Sequence, residues 1–325
     1  MGLRHANNLQ RLGVKKIGVV RQRNRRLHKA VDLSRFTVYS DIKEAIRSGY
    51  DAAVICNPTS HHIDTALMIA DAGIHMYIEK PLSHSLAGID ILSKCIRSES
   101  SPLVATVGCQ FRFHPNLEDI RAWMTDKSIG RIIHICVDTG EFLPSWHPWE
   151  DYRKSYASRK DLGGGVVLTL IHEIDYLHWL FGPVRPISAV GGTSGKLELD
   201  VEDHATTFMT TSGGTPVVMH LDYLQQPPCR KMKIVGTKGT IAWDYHKNRA
   251  CEYVDGDLKR NSLLPPEWER NDMFMASMQD FLECVITGKT PKISIEDGIE
   301  TLRIALSIRE WINGHSACAT DIVDG

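Results

Sequence analysis

The sequence predicts an α/β protein: an N-terminal Rossmann-type parallel sheet, followed by an α+β domain with a large, mostly antiparallel sheet. Three observations lead there. Residues 52–56 and 74–78 are short apolar runs, as strands buried on both faces should be. An amphipathic helical stretch joins them, which makes one strand–helix–strand unit of a parallel sheet. Beyond Gly182-Pro183 the pattern changes to short alternating runs separated by glycine-rich turns such as Ser212-Gly213-Gly214 and Gly236-Thr237-Lys238-Gly239, the signature of antiparallel strands.

Taken in order, Leu3, Ala6, Leu9 and Leu12 mark a short amphipathic helix that Gly13 ends. Residues 14–20 read as a strand, and 36–39 as another. Ser40 or Asp41 can cap a helix carrying Ile42, Ala45 and Ile46. After the run 52–56, Pro58 opens a helix with Ala66, Leu67, Ile69 and Ala70 on its apolar face, and Gly73 stops it. The strand 74–78 follows. A helix over 85–97 and a strand over 103–110 complete the first domain, 1–112.

The second domain, 113–325, opens with a helix over 116–125 and a strand over 131–137. Trp146, His147, Pro148, Trp149 and Tyr152 form an aromatic-rich loop. Gly163-Gly164-Gly165 then opens one long helix over 166–180. Strands are expected over 187–192, 204–210, 217–223, 231–235 and 240–244. Helices over 272–287 and 295–313 close the chain, the latter with Ser294 and Glu296-Asp297 at its start.

At 325 residues the chain suits two domains. Its net charge of −1 gives no electrostatic support for a nucleic-acid role. No apolar run approaches a membrane span, and the first residues are polar rather than a signal peptide. The eight cysteines are scattered, with no metal-type pair, so no metal site is expected. That usage suits a reducing cytoplasm.

Asn57-Pro58-Thr59 with His62, followed by Glu79-Lys80-Pro81 at the end of the next strand, resembles the glucose–fructose oxidoreductase / inositol dehydrogenase (Gfo/Idh/MocA) family of NAD(P)-dependent sugar oxidoreductases. The resemblance runs almost to the end of the chain. It implies that Gly2 matches the third glycine of a Gly-x-Gly-x-x-Gly turn. The first strand and two glycines of that fold are then missing ahead of it. The expectation is a sheet truncated at its start; the alternative is a variant sheet that binds cofactor poorly or not at all. The resemblance further implies a cofactor site at Gly2, Asn57, Pro58, Thr59, His62, Glu79, Lys80 and Gln110. It makes Lys80 and His172 catalytic, with Asp175 the partner of His172 on the helix after the glycine run. Many relatives carry an aspartate about a turn before this histidine; Leu168 and Thr169 stand there instead. The family's second-domain sheet implies a homodimer or homotetramer.

Arg21-Gln22-Arg23-Asn24-Arg25-Arg26 follows the strand after which NAD enzymes place an acid for the ribose hydroxyl. A guanidinium there can grip a 2′-phosphate. Arg21 and Arg23 therefore point to NADP(H), with NAD(H) possible; the alternative is a solvated basic loop. Arg112 can contact an anionic or polyhydroxyl substrate or form an interdomain salt bridge. The aromatic loop, Tyr152 included, can stack on a sugar or simply pack. The expected activity is hydride transfer between nicotinamide and a hydroxyl-bearing carbon of a sugar or nucleotide-sugar, with a possible role in surface-polysaccharide biosynthesis. The competing expectation is a catalytically silent binding relative.

Overall fold

The computed structural model describes residues 1–21, 32–98 and 102–315. The first unit runs α1 (Gly2–Arg11), β1 (Gly18–Val20), β2 (Thr37–Tyr39), α2 (Ile42–Arg47), β3 (Ala52–Ile55), α3 (His62–Asp71), β4 (His75–Ile78), α4 (Ile89–Ile96) and β5 (Ala105–Val107). Asp41 caps α2 by accepting from the Lys43 amide at 2.9 Å. All strand pairs here are parallel, in two sheets: β1–β2, and β3–β4–β5 with β4 central. Among the described residues no ladder joins β1 to β3.

Two element bounds differ from the sequence reading for local reasons. The helix expected from residue 85 starts at Ile89 because Gly88 takes a left-handed conformation (φ 76°) that ends the preceding bend. A side chain there would also meet Ile63 Cγ2 at 2.7 Å. The strand expected over 103–110 ends at Val107, and Gln110–Phe113 winds into a 3-10 turn instead.

The second unit runs α5 (Pro115–Thr125), β6 (Ile132–Gly140), α6 (Val166–Thr169), α7 (His172–Phe181), β7 (Val184–Gly192), β8 (His204–Thr211), β9 (Pro216–Asp222), β10 (Cys229–Gly236), β11 (Gly239–Asp244), β12 (Arg249–Val254), β13 (Asp257–Leu263), α8 (Arg270–Thr287) and α9 (Ile295–His315). Its eight strands form one sheet in the order β13-β12-β11-β10-β6-β9-β8-β7. Every pair is antiparallel except β6–β9. Strands β12 and β13 were not anticipated. Their hairpin turns on Asp255-Gly256, both at positive φ, and Asp-Gly between strands is a recognised hairpin signal.

The single long helix expected over 166–180 is two helices. Leu170 (φ −92°, ψ 39°) breaks the winding between α6 and α7.

One face of the large sheet is buried: Ala205, Thr207 and Met209 on β8 alternate with outward Thr206 and Phe208. Helices α6, α7 and α9 pack on the buried face. The last two helices also return to the first unit. Thr106 Oγ1 on β5 donates to the Ile293 carbonyl at 2.7 Å, and Tyr77 on β4 hydrogen-bonds Ser277 on α8 at 3.1 Å. A continuous core through Ile55, Ile78, Val107, Phe111, Ile174 and Trp243 joins the units.

Candidate active site

The carboxyl ends of β3 and β4 and the start of α1 meet at one edge, where open parallel sheets bind ligands. A side chain at Gly2 would lie 3.1 Å from Cys56 Sγ, so the first turn of α1 abuts the end of β3. Exposed backbone N–H groups at such a helix start suit a phosphate. Past β3, Asn57 Nδ2 donates to Thr65 Oγ1 at 2.9 Å, and Pro58 precedes a 3-10 turn holding buried Thr59. His62 ties this loop to the next: its ring nitrogens lie 2.8 Å from the Pro81 carbonyl and 3.0 Å from the Asn57 carbonyl. Burial lowers its pKa despite both carbonyls, which favour the charged form.

The loop after β4 carries Glu79, Lys80 and Pro81. Glu79 is buried, its amide bonded to the Ile55 carbonyl at 2.8 Å. Its Oε1 lies 2.6 Å from Nε2 of His5 on α1, which is also buried. Burial pushes the Glu79 pKa up, but the hydrogen bond and charge of His5, then Lys80, outweigh it and hold the group below its ordinary value. The sequence reading gave His5 no role; nothing in spacing connects residues 5 and 79.

Lys80 reaches across to the second unit. Its Nζ donates to the Thr169 carbonyl at 2.6 Å. In an unbroken helix that carbonyl would accept the Glu173 amide; the break at Leu170 leaves it free. The glycine run permits this approach. Gly163 is left-handed (φ 78°) and packs on Thr59, where a side chain would sit 3.0 Å from Cβ.

His172 starts α7, one turn after the lysine's acceptor. It is buried, tilted against Phe111 at 4.9 Å, and its Nε2 is 3.4 Å from the Gln110 amide nitrogen. Burial first, then the charges of Lys80, Arg230 and Arg270, push its pKa well below the ordinary value. The imidazole is therefore neutral at working pH. Its Nδ1 and the Gln110 Oε1 are buried with no protein partner, which leaves polar atoms for a bound group.

Arg112, expected at substrate or in an interdomain salt bridge, and Asp175, expected at substrate and as the partner of His172, are spent on each other. Arg112 Nη2 is 2.7 Å and Nε 3.0–3.1 Å from the Asp175 carboxylate, and both side chains are buried. Arg112 Nη1 also meets Asp297 of α9 at 3.2 Å. Burial opposes the Arg112 charge, but these acids outweigh it and raise its pKa. This is the interdomain ion pair of the two readings the sequence left open. In the aromatic loop, Trp146 packs edge-on to Tyr223 at 5.6 Å, and the Tyr152 hydroxyl donates to the Leu197 carbonyl at 3.2 Å. Of the two arginines expected to select the cofactor, Arg21 is half-buried at the end of β1, its amide bonded to the Tyr39 carbonyl at 2.9 Å. Arg23 lies outside the described residues.

Under the site, Arg230 pairs with Glu173 at 2.9 Å and Glu141 at 3.3 Å, and its guanidinium stacks 4.5 Å over Phe111. The sequence reading also passed over this layer.

A buried histidine and a lysine anchored across the two units stand near the ligand edge of a parallel α/β sheet, an arrangement that suits a dinucleotide-dependent enzyme. Comparison with known proteins narrows it. Residues 1–107 match the oxidoreductase family with NAD-binding Rossmann fold, and residues 117–242 match the GFO/IDH/MocA C-terminal domain. The chain belongs to the GFO/IDH/MocA family of oxidoreductases.

Among its relatives is myo-inositol 2-dehydrogenase of Thermotoga maritima. It is 24% identical over 281 residues, 84% of this chain and 80% of that one. UDP-N-acetylglucosamine 3-dehydrogenase of Acidithiobacillus ferrooxidans is 25% identical over 274 residues, 82% of this chain and 80% of that one. Among solved structures, levoglucosan dehydrogenase in complex with NADH and levoglucosan superimposes with a TM-score of 0.83 at 18% identity, covering 97% of this chain and 95% of that one. That likeness shows the shared fold. No helix among the described residues is long and apolar enough to cross a membrane.

Proposed function

We propose that this protein transfers a hydride between a nicotinamide dinucleotide and a hydroxyl-bearing carbon of a sugar or nucleotide-sugar, with Lys80 and His172 as its catalytic residues. The observation that carries the reading is their convergence: Lys80 is bonded to the free Thr169 carbonyl, three residues before His172, and its charge acts on the imidazole.

The bound nicotinamide supplies the hydride acceptor. The remaining work falls to the chain. Neutral His172 can take the hydroxyl proton. Lys80 can donate to the same oxygen and stabilise negative charge developing there. The Thr169 carbonyl holds the lysine, and the burial of Glu79, Gln110 and His172 keeps water out. Gly2 and α1 face the pyrophosphate in this reading, and Asn57, Pro58, Thr59, His62 and Glu79 line the cofactor edge. Arg112 and Asp175 fix the second unit's α7 against the first and do not touch substrate.

Arg21 and Arg23 favour NADP(H) over NAD(H), on the chemistry of a guanidinium where an acid would hold the ribose. The relative acting on UDP-N-acetylglucosamine supports a nucleotide-sugar substrate and, through it, a role in surface-polysaccharide synthesis. The domain boundary falls at Arg112–Phe113. The open sheet face, with Val190 71% and Phe208 42% exposed, suits a homodimer or homotetramer contact. The seven described cysteines are free thiols, in keeping with a reducing cytoplasm.

Reduction of NADP⁺ and NAD⁺ in the presence of neutral polyols, sugar phosphates and nucleotide-sugars tests the reading. Turnover with at least one sugar class is expected. A protein that binds dinucleotide yet turns over none of them contradicts it.

A further inference from the structure

Arg230 sits where the pattern of its strand calls for an apolar residue. On β10 it shares the buried face with Met232 and Ile234, and the residue opposite it on β6 is buried Thr139. Burial opposes its charge, but Glu173, then Glu141, outweigh it and raise its pKa. Well-packed apolar side chains often serve stability as well as a buried ion pair does. Stability alone therefore does not account for an arginine here.

Two of its contacts lead to His172. Arg230 Nε lies 2.9 Å from Glu173 Oε1, and Glu173 follows His172 at the start of α7. Thr139 Oγ1 donates to the same carboxylate oxygen at 3.2 Å. On its other side the guanidinium stands 4.5 Å over the Phe111 ring, and that ring packs tilted on the His172 imidazole at 4.9 Å. Gln110, next to Phe111, places its amide nitrogen 3.4 Å from His172 Nε2. Glu141, 3.3 Å from Arg230, is partly exposed and completes the pairing. One cation thus grips both the helix start that carries the imidazole and the ring on which the imidazole rests. The two come from different units, Phe111 from the 3-10 turn after β5 and Glu173 from α7.

We propose that Arg230 is a positioning residue for His172: through Phe111 and Glu173 it fixes the imidazole for proton transfer, without itself touching substrate. The inference rests on the sugar oxidoreductase reading above and adds a residue which that reading does not use. A guanidinium offers a fork to the carboxylate and a flat face to the ring; a lysine offers the charge but neither of these. The charge has a further effect. The charged groups acting on His172 from neighbouring elements are Lys80 after β4, Arg230 on β10 and Arg270 on α8, while Glu173 on its own helix is engaged by Arg230. After burial, these three cations disfavour the imidazolium and leave the ring a base.

The full chain is compared with Arg230→Lys and Arg230→Gln on two readouts, with urea unfolding to report that each variant folds. The first is kcat and KM with NADP⁺ or NAD⁺ and the sugar that the screen above identifies. The second is the carbon-13 signal of the His172 ring, assigned through His172→Gln and followed from pH 8 to pH 4.5. Arg230→Lys should lower kcat about tenfold or more, with the dinucleotide KM within about twofold of the wild type. Its His172 signal should move, because the Phe111 ring beside it shifts, yet stay neutral to the acid end of the range as in the wild type. Arg230→Gln should lower kcat further, and its His172 should begin to protonate within the range. A folded Arg230→Lys with wild-type kcat, or with the His172 signal at its wild-type position, makes the arginine merely structural and overturns the proposal. A His172 signal that responds as expected, in a protein whose wild type turns over no sugar, sinks the oxidoreductase reading alone.

Discussion

His5 Nε2 on α1 lies 2.6 Å from Glu79 Oε1 at the end of β4, and both side chains are buried. This bond ties the helix that opens the ligand edge to the loop that carries Lys80. Removing His5 leaves a buried carboxylate without its partner. His5→Ala should lose about 2–3 kcal/mol of stability at neutral pH, measured by urea unfolding. Glu79 is held below its ordinary value of 4.5, so its stabilisation is present above that pH and is lost as pH falls through the folded value. The gap between variant and wild type should therefore be widest at neutral pH and close on acidification. A gap that stays constant from pH 7 down to pH 3 would remove the pair from the account.

The Arg112–Asp175 pair predicts non-additivity. Either single substitution, Arg112→Met or Asp175→Leu, strands a buried charge and should cost about 3–5 kcal/mol. The double variant removes both charges and should cost much less than the sum, although Asp297 keeps part of the arginine's loss. Additive losses would mean that the two side chains do not depend on each other.

Lys80→Met should reduce turnover by about a hundredfold or more while dinucleotide affinity stays near that of the wild type. His172→Ala should do the same. Because His172 is held well below its ordinary value, it remains a base in mildly acidic solution. The acidic limb of kcat/KM should then fall below pH 6.5 rather than at it. Undiminished turnover in Lys80→Met would remove the lysine from the mechanism.

His114 predicts an acid-stability effect away from chemistry. It is boxed by Phe111, Trp243, Tyr245 and Trp268 with ring centroids 5.0–6.1 Å away, and neither ring nitrogen has a hydrogen-bond partner among the described residues. Burial, then the Arg230 charge, pushes its pKa down to about 3. The unfolded chain takes up this proton near 6.5 and the folded chain does not. Stability is thus full above 6.5 and falls by about 1.4 kcal/mol per pH unit below it, until pH reaches the folded value. Urea unfolding at pH 7 and pH 5 should show a smaller loss in His114→Phe than in the wild type. Equal losses would contradict the assignment.

Much of the fold follows from local pattern. The β3–α3–β4 unit is visible as two apolar runs around a 3.6-residue stripe ended by Gly73, and Lys80 and His172 stand out by motif. What escaped has a common cause in tertiary contact. Leu170 and Ile171 are ordinary helix residues, so nothing local announces the break between α6 and α7; the carbonyl it frees is taken by a lysine 89 positions earlier. Arg112 and Asp175 meet across 63 positions, and His5 and Glu79 across 74. The hairpin of β12 and β13 was different: Asp255-Gly256 was a readable signal.

The central claim is that this edge of the sheet binds a nicotinamide dinucleotide with the lysine and histidine poised above it. Titration of the chain with NADPH and NADH, followed by the cofactor's fluorescence, tests it most directly. The account predicts saturable binding of both, tighter for NADPH. Binding of neither would contradict it.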